Sequence, residues 1–177
     1  SSDLQGQTEP FFSTCVYGFF CPSGSASPRP CPPGNFCPNI GLDKPIQCPA
    51  GTYNSQSQST TYTNCIPCPS GTYCNLVIGA TDVIPCPSGK YCPESSISFN
   101  NSCPIGYYCP LGATNPIECP PGTYCPIGSS VPTLCLSGYY CPKFTEKQIQ
   151  CPGGYQCPAG ANVPEICETG TYALAAP

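Results

Sequence analysis

The 177-residue sequence has no histidine, no tryptophan and no methionine, and only five basic side chains: Arg29, Lys44, Lys90, Lys143 and Lys147. Without histidine there is no Ser–His or Cys–His pair, so nucleophilic catalysis of that kind is excluded. Five cations against nine carboxylates give a net charge of -4. No basic stripe is left to track phosphates, which argues against nucleic acid as a partner. No apolar run approaches the roughly twenty residues that cross a bilayer, and no helical apolar period lasts for the dozen or so residues that identify a helix. No signal peptide precedes Ser1, so we expect either a cleaved secretion signal or an excised segment of a longer protein. Neither an enzyme nor a cofactor is implied.

The residues present in excess are cysteine, proline and glycine: 19, 26 and 18 respectively. Cysteine at more than about a tenth of positions marks a disulfide scaffold, and thiols this dense persist as disulfides only in an oxidising compartment. We therefore expect an extracellular protein, secreted or at the cell surface. Proline and glycine interrupt helices and central strands, so cross-links must supply stability that a large core would otherwise give.

The cysteines are periodic. Cys15, Cys31, Cys48, Cys68, Cys86, Cys103, Cys119, Cys135, Cys151 and Cys167 each open a phrase of the form C-P-x-G-x-Y-C, at intervals of 16 to 20 residues. A glycine stands three places after every opener, from Gly18 to Gly170, which implies a positive φ or a close approach that a Cβ would block. An aromatic stands five places after it (Phe20, Phe36, Tyr53, Tyr73, Tyr91, Tyr108, Tyr124, Tyr140 and Tyr172), except at Gln156. The pattern divides the chain into an extension over 1–14, about ten tandem repeats over 15–172 and a tail over 173–177. Each repeat reads as a tight Pro-Gly turn closing a short hairpin, followed by an extended connector. Units this small bury no core alone, so they stack. The expected fold is a disulfide-rich tandem repeat of short β-hairpins and coil in an elongated rod or solenoid, almost without helix.

Two pairing schemes account for most cysteines. The first joins each opener to the Cys six residues on: Cys15–Cys21, Cys31–Cys37, Cys68–Cys74, Cys86–Cys92, Cys103–Cys109, Cys119–Cys125, Cys135–Cys141 and Cys151–Cys157. The third repeat has Asn54 where that second Cys belongs, yet it alone gains Cys65, so Cys48–Cys65 completes it. Cys167 is left over, because Ala173 stands where its partner belongs. It is then unpaired, linked to another protomer, or paired beyond Pro177. The second scheme bridges connectors, as in Cys21–Cys31 and Cys109–Cys119, and strands Cys15, Cys65 and Cys68. We prefer the first. Each seven-residue loop contributes about 2.4 kcal/mol in the chain-entropy treatment.

Other chemistry is sparse. The sole C-x-x-C, Cys65 to Cys68, has no second one to make a zinc site. Glu165 and Glu168 flank Cys167 in a solvated connector, and Asp3, Asp43 and Asp82 are scattered singly, so no metal is expected. Asn100-Asn101-Ser102 is an acceptor sequon for N-glycosylation at Asn100. The Ser/Thr run from Ser55 to Thr61 offers O-glycan positions or a plain loop. The aromatic ladder reads as a mini-core of rings burying about 150–250 Å² each. Tyr17, Phe19, Tyr107, Tyr139 and Tyr155 lie off the ladder and are better placed to meet a partner.

The phrases Cys48-Pro-Ala-Gly-Thr-Tyr and Cys65-Ile-Pro-Cys68-Pro-Ser-Gly-Thr-Tyr resemble the ephrin-receptor-like cysteine-rich repeat, related in style to the modules of tumour necrosis factor receptors. The resemblance runs from Cys15 to Tyr172 and implies an elongated extracellular protein of the kind found on protist and algal surfaces. It carries no catalytic residues. Two functions are expected from the whole. One is a structural protomer of a fibre, stalk or coat, self-associating head to tail through the two ends. The other is a receptor-like ectodomain that binds a protein or glycan, with the irregular unit Cys48 to Cys68 and the Phe99 connector as its contact points.

Overall fold

The computed structural model describes residues 14–75 and 78–172. Phe11 and Phe12 of the leading extension, Ala173 and the rest of the tail lie outside the described residues. The openers divide the described chain into unit 1 (15–30), unit 2 (31–47), unit 3 (48–67), unit 4 (68–85), unit 5 (86–102), unit 6 (103–118), unit 7 (119–134), unit 8 (135–150) and unit 9 (151–166), with unit 10 beginning at Cys167.

Each of units 1 to 9 is built from two turns in series. In the first, the residue after the opener accepts a hydrogen bond from the amide three places on, as from Thr72 to Pro69 at 3.1 Å and from Thr123 to Pro120 at 3.1 Å. The first glycine is the third residue of this turn, and its φ lies between 77° and 87° in all ten units. That is the left-handed position of a type II turn. Where a threonine follows, its hydroxyl donates to the same carbonyl, as Thr52 does to Pro49 at 2.8 Å. The second turn follows the second cysteine and has the same form, as from Ser129 to Pro126 at 3.1 Å.

Between the turns run two residues of strand, paired with the two residues before the next opener. Phe19–Phe20 pairs antiparallel with Arg29–Pro30, Thr72–Tyr73 with Ile84–Pro85, and Tyr139–Tyr140 with Ile149–Gln150. Eight such ladders are present among the described residues. Unit 5 keeps only the bridge between Lys90 and Ser102. The expected hairpin is thereby corrected. The first Pro-Gly turn precedes the hairpin, and the connector is its folded loop and second strand. Outside unit 3 the reason is covalent: those first-strand residues lie inside a loop closed by sulfur, too short to hold their own partner.

The nine disulfides join Cys15–Cys21, Cys31–Cys37, Cys48–Cys65, Cys68–Cys74, Cys86–Cys92, Cys103–Cys109, Cys119–Cys125, Cys135–Cys141 and Cys151–Cys157, with Cα separations of 5.5 to 6.1 Å. None links one unit to another. Units are joined by backbone hydrogen bonds that recur along the chain. The first glycine's amide donates to the carbonyl of the next unit's second cysteine, as from Gly122 to Cys141 at 2.9 Å. The second cysteine's amide donates into the next unit's second turn, as from Cys125 to Thr145 at 3.0 Å. The second turn's left-handed residue donates back to the previous opener, as from Gly160 to Cys135 at 2.9 Å.

The core is almost entirely sulfur. Seventeen of the eighteen paired cysteines are buried, and Phe36 and Ala113 are the only other buried hydrophobic side chains among the described residues. The expected aromatic mini-core is reduced accordingly: Tyr53, Tyr73, Tyr91, Tyr108, Tyr124 and Tyr140 are half-buried and Tyr172 is exposed. The arrangement is an elongated disulfide-rich array of hairpins.

Candidate functional surface

Contacts also skip a unit. A Cβ placed on Gly18 would lie 2.7 Å from the Gln58 carbonyl of unit 3, and one on Gly51 would lie 2.8 Å from the Ser95 carbonyl of unit 5. Gly34, Gly71, Gly89 and Gly122 face Gly79, Gly112, Gly128 and Gly160 in the same way, and Gly106 faces Phe144. In units 1 to 7 the first glycine is therefore required twice, by φ and by the backbone lying against it. Two side-chain contacts also skip a unit. Tyr107 of unit 6 lies 5.5 Å from Phe144 of unit 8, and Lys143 of unit 8 pairs with Glu118 of unit 6 at 3.0 Å. Units of like parity touch.

That parity sorts the exposed surface. In units 2, 4, 6 and 8 the residue opposite the aromatic is isoleucine: Ile46 opposite Phe36, Ile84 opposite Tyr73, Ile117 opposite Tyr108 and Ile149 opposite Tyr140. All four are exposed to nearly the same degree, between 39% and 43%. In units 1, 3, 7 and 9 the same place holds Arg29, Ile66, Thr133 and Glu165. An apolar row thus marks the even units. Sequence reading missed it because it followed residues counted from each opener forward; counting two places back from the next opener finds it.

The residues singled out for binding are dispersed. Tyr17 and Tyr155 are exposed, while Phe19, Tyr107 and Tyr139 are half-buried in the hairpins. Phe99 stacks edge-on against Tyr73 at 5.2 Å and keeps one side exposed. Asn100 is exposed beside it, and the hydroxyl of its sequon residue Ser102 accepts a hydrogen bond from Lys90 Nζ at 2.7 Å. Cys167 is unpaired and half-exposed, between the exposed carboxylates of Glu165 and Glu168. Asp43 and Asp82 are exposed and apart. Among the described residues no three His, Cys, Asp or Glu side chains gather where a metal could bind, and no helix is long and apolar enough to cross a membrane.

Among the described residues, unit 3 is the one place where polar side chains replace sulfur. Asn54 is buried where a half-cystine stands elsewhere. Its amide nitrogen donates to the Asn35 carbonyl at 2.8 Å and to Ser59 Oγ at 2.9 Å, and its side-chain oxygen accepts from the Gln56 amide at 3.0 Å. An open cavity of about 380 Å³ lies at the far end of the array, lined by Ser137, Gly138, Cys151, Tyr155, Gln156, Cys157 and Pro158.

No family model matches the chain. A segment of 44 residues is 48% identical to part of the ABC-type transporter claG of Penicillium crustosum. The match takes up 25% of this chain and 6% of the transporter.

Proposed function

We propose that the chain is an extracellular, non-catalytic structural protein, the protomer of a fibre, stalk or surface coat. The supporting observation is that every disulfide closes within one unit while one set of backbone hydrogen bonds repeats from unit to unit. This gives a covalently stiffened rod in which, among the described residues, no cluster of metal-binding side chains sets one unit apart. Its resemblance to ephrin-receptor-like repeats of protist and algal surface proteins, and the exposed Asn100 sequon as a glycan attachment point, agree with that setting. The transporter's activity is not carried over, because the match covers so little of it. Electron microscopy of native material, with non-reducing electrophoresis, tests the proposal. Linear assemblies are expected, and dispersed single rods in physiological salt count against it.

A second reading, a receptor-like ectodomain for a protein or glycan, draws on the isoleucine row and on irregular unit 3. Under it, replacing the exposed Ile66 of unit 3 by serine, which keeps the number of units, weakens one specific interaction and leaves assembly intact.

A further inference from the structure

The hairpin of unit 5 is reduced to the bridge between Lys90 and Ser102, and the acceptor sequence Asn100-Asn101-Ser102 ends on that bridge, directly before Cys103. Asn100 is exposed, so the folded array has room for a glycan there. The residues that follow it are held. The Asn101 carbonyl accepts from the Tyr91 amide at 3.1 Å, and Ser102 Oγ accepts from Lys90 Nζ at 2.7 Å. Cys103 is fully buried and joined to Cys109. Its amide donates to the Gly89 carbonyl at 2.9 Å, and its own carbonyl accepts from Gly128 of unit 7 at 2.8 Å. The asparagine is thus open to solvent while the hydroxyl residue two places on is tied to unit 5 and, through Cys103, to units 6 and 7.

We propose that Asn100 takes its N-linked glycan only while Cys103 is unpaired, so that closure of the Cys103–Cys109 disulfide ends the interval in which it can be modified. This rests on the extracellular reading and adds the order of events to it. In the transfer, the Asn100 amide nitrogen bonds to the anomeric carbon of a sugar carried on a lipid pyrophosphate. The pyrophosphate leaves with the bonding electron pair, and the amide gives up one proton. The transferring enzyme grips the asparagine and the hydroxyl residue together, so the three acceptor residues must be free of other backbone pairing. In the folded chain this means releasing Asn101, Ser102 and Cys103 at once, against a buried disulfide. In the emerging chain none of these restraints exists. Cys109 lies seven residues beyond Ser102 and is synthesised about 0.4–1.4 s after it, and disulfides form in seconds or longer. Sulfur therefore sets a short limit on transfer. The same closure disables the overlapping Asn101-Ser102-Cys103 sequence, which needs Cys103 as a free thiol. A glycan already attached stays on an exposed residue and does not oppose the fold.

The test is glycan transfer in vitro to the 177-residue chain, made without glycan, by membranes that hold the transferase and its lipid-linked donor. One sample is oxidised and folded, the other reduced and carboxymethylated. Occupancy of Asn100 is read from the mass shift on enzymatic deglycosylation. The reduced chain is expected to be modified and the oxidised chain to stay at background. Oxidised Cys103→Ala/Cys109→Ala should regain transfer toward the level of the reduced chain; alanine is used because serine at 103 would create a second acceptor at Asn101. Oxidised Cys151→Ala/Cys157→Ala, which opens a distant unit, should stay at background, and so should oxidised Lys90→Ala. Equal transfer to oxidised and reduced wild type overturns the proposal. So does a Cys103→Ala/Cys109→Ala chain that stays at background. Transfer to the distant variant would trace acceptance to general loosening, and transfer to Lys90→Ala would trace the block to one side-chain contact; either overturns the role of this disulfide. No transfer to the reduced chain overturns the acceptor itself. None of these outcomes touches the fibre reading, whose failure shows separately by microscopy.

Discussion

Units 3 and 7 reach the same backbone arrangement by different means. Unit 7 closes Cys119 to Cys125 across its first turn and places Gly128 in the left-handed position of its second. Unit 3 has Asn54 in place of the second cysteine, reaches from Cys48 across to Cys65, and forces Gln58 to φ 58° where unit 7 has glycine. Yet the amide of Asn54 donates to Ala80 at 2.9 Å and its carbonyl accepts from Gly34 at 2.7 Å, as Cys125 donates to Thr145 and accepts from Gly106. The hydrogen-bond lattice is therefore what the units have in common. The short disulfide is one way to hold a chain in it, and a buried amide with three partners plus a longer disulfide is another.

Substitutions break or sharpen this comparison to different degrees. The largest effect belongs to the lattice itself. Gly122→Ala adds a Cβ against the Gly160 carbonyl at φ 81°, and should destabilise by about 2–5 kcal/mol in denaturant titration. Gly128→Ala, at φ 77° with nothing within 4 Å, should cost only the left-handed penalty of about 1–2 kcal/mol. Equal losses at the two positions would remove close packing as the reason for the first glycine. Next, Asn54→Ala strands the buried Ser59 hydroxyl and leaves the Asn35 carbonyl and Gln56 amide without their side-chain partner, and should lose about 2–3 kcal/mol.

The double substitution Asn54→Cys/Cys65→Ser converts unit 3 to the form of unit 7. Peptide mapping without reductant should find Cys48 joined to the cysteine introduced at position 54, and exchanging the longer loop for a seven-residue one costs about 0.8 kcal/mol of loop entropy. A scrambled map would mean that the extra residues of unit 3 forbid the short bridge. Gln58→Gly relieves a left-handed glutamine and should add about 0.5–1 kcal/mol. Smallest is Lys143→Ala, which removes an exposed ion pair with Glu118. It should change stability by about 0.5 kcal/mol or less, and less still in high salt.

Much of this was legible in the residues and some was not. The openers, first glycines and aromatics stand at fixed offsets, so the array of small units can be read directly. The second turn is half hidden. Its left-handed residue falls three to five places after the second cysteine, and Gln58, Ser95 and Phe144 occupy it without being glycine. Strand pairing was misplaced because proline and glycine announce both turns alike and do not say which one a hairpin surrounds. The aromatics looked like core because regular spacing usually means burial, whereas here sulfur fills the interior first. Most contacts that skip a unit run between a glycine and the backbone of a turn, and neither carries a side chain by which sequence could signal its neighbour.

Contact between units of like parity also limits how such a chain can change length by duplication. Gain or loss of one unit would exchange even for odd downstream, breaking the isoleucine row and bringing mismatched surfaces together at the junction. Adding or removing two preserves both. Repeat number in related chains should then drift in steps of two, and an engineered ruler cut from this rod should be lengthened by pairs.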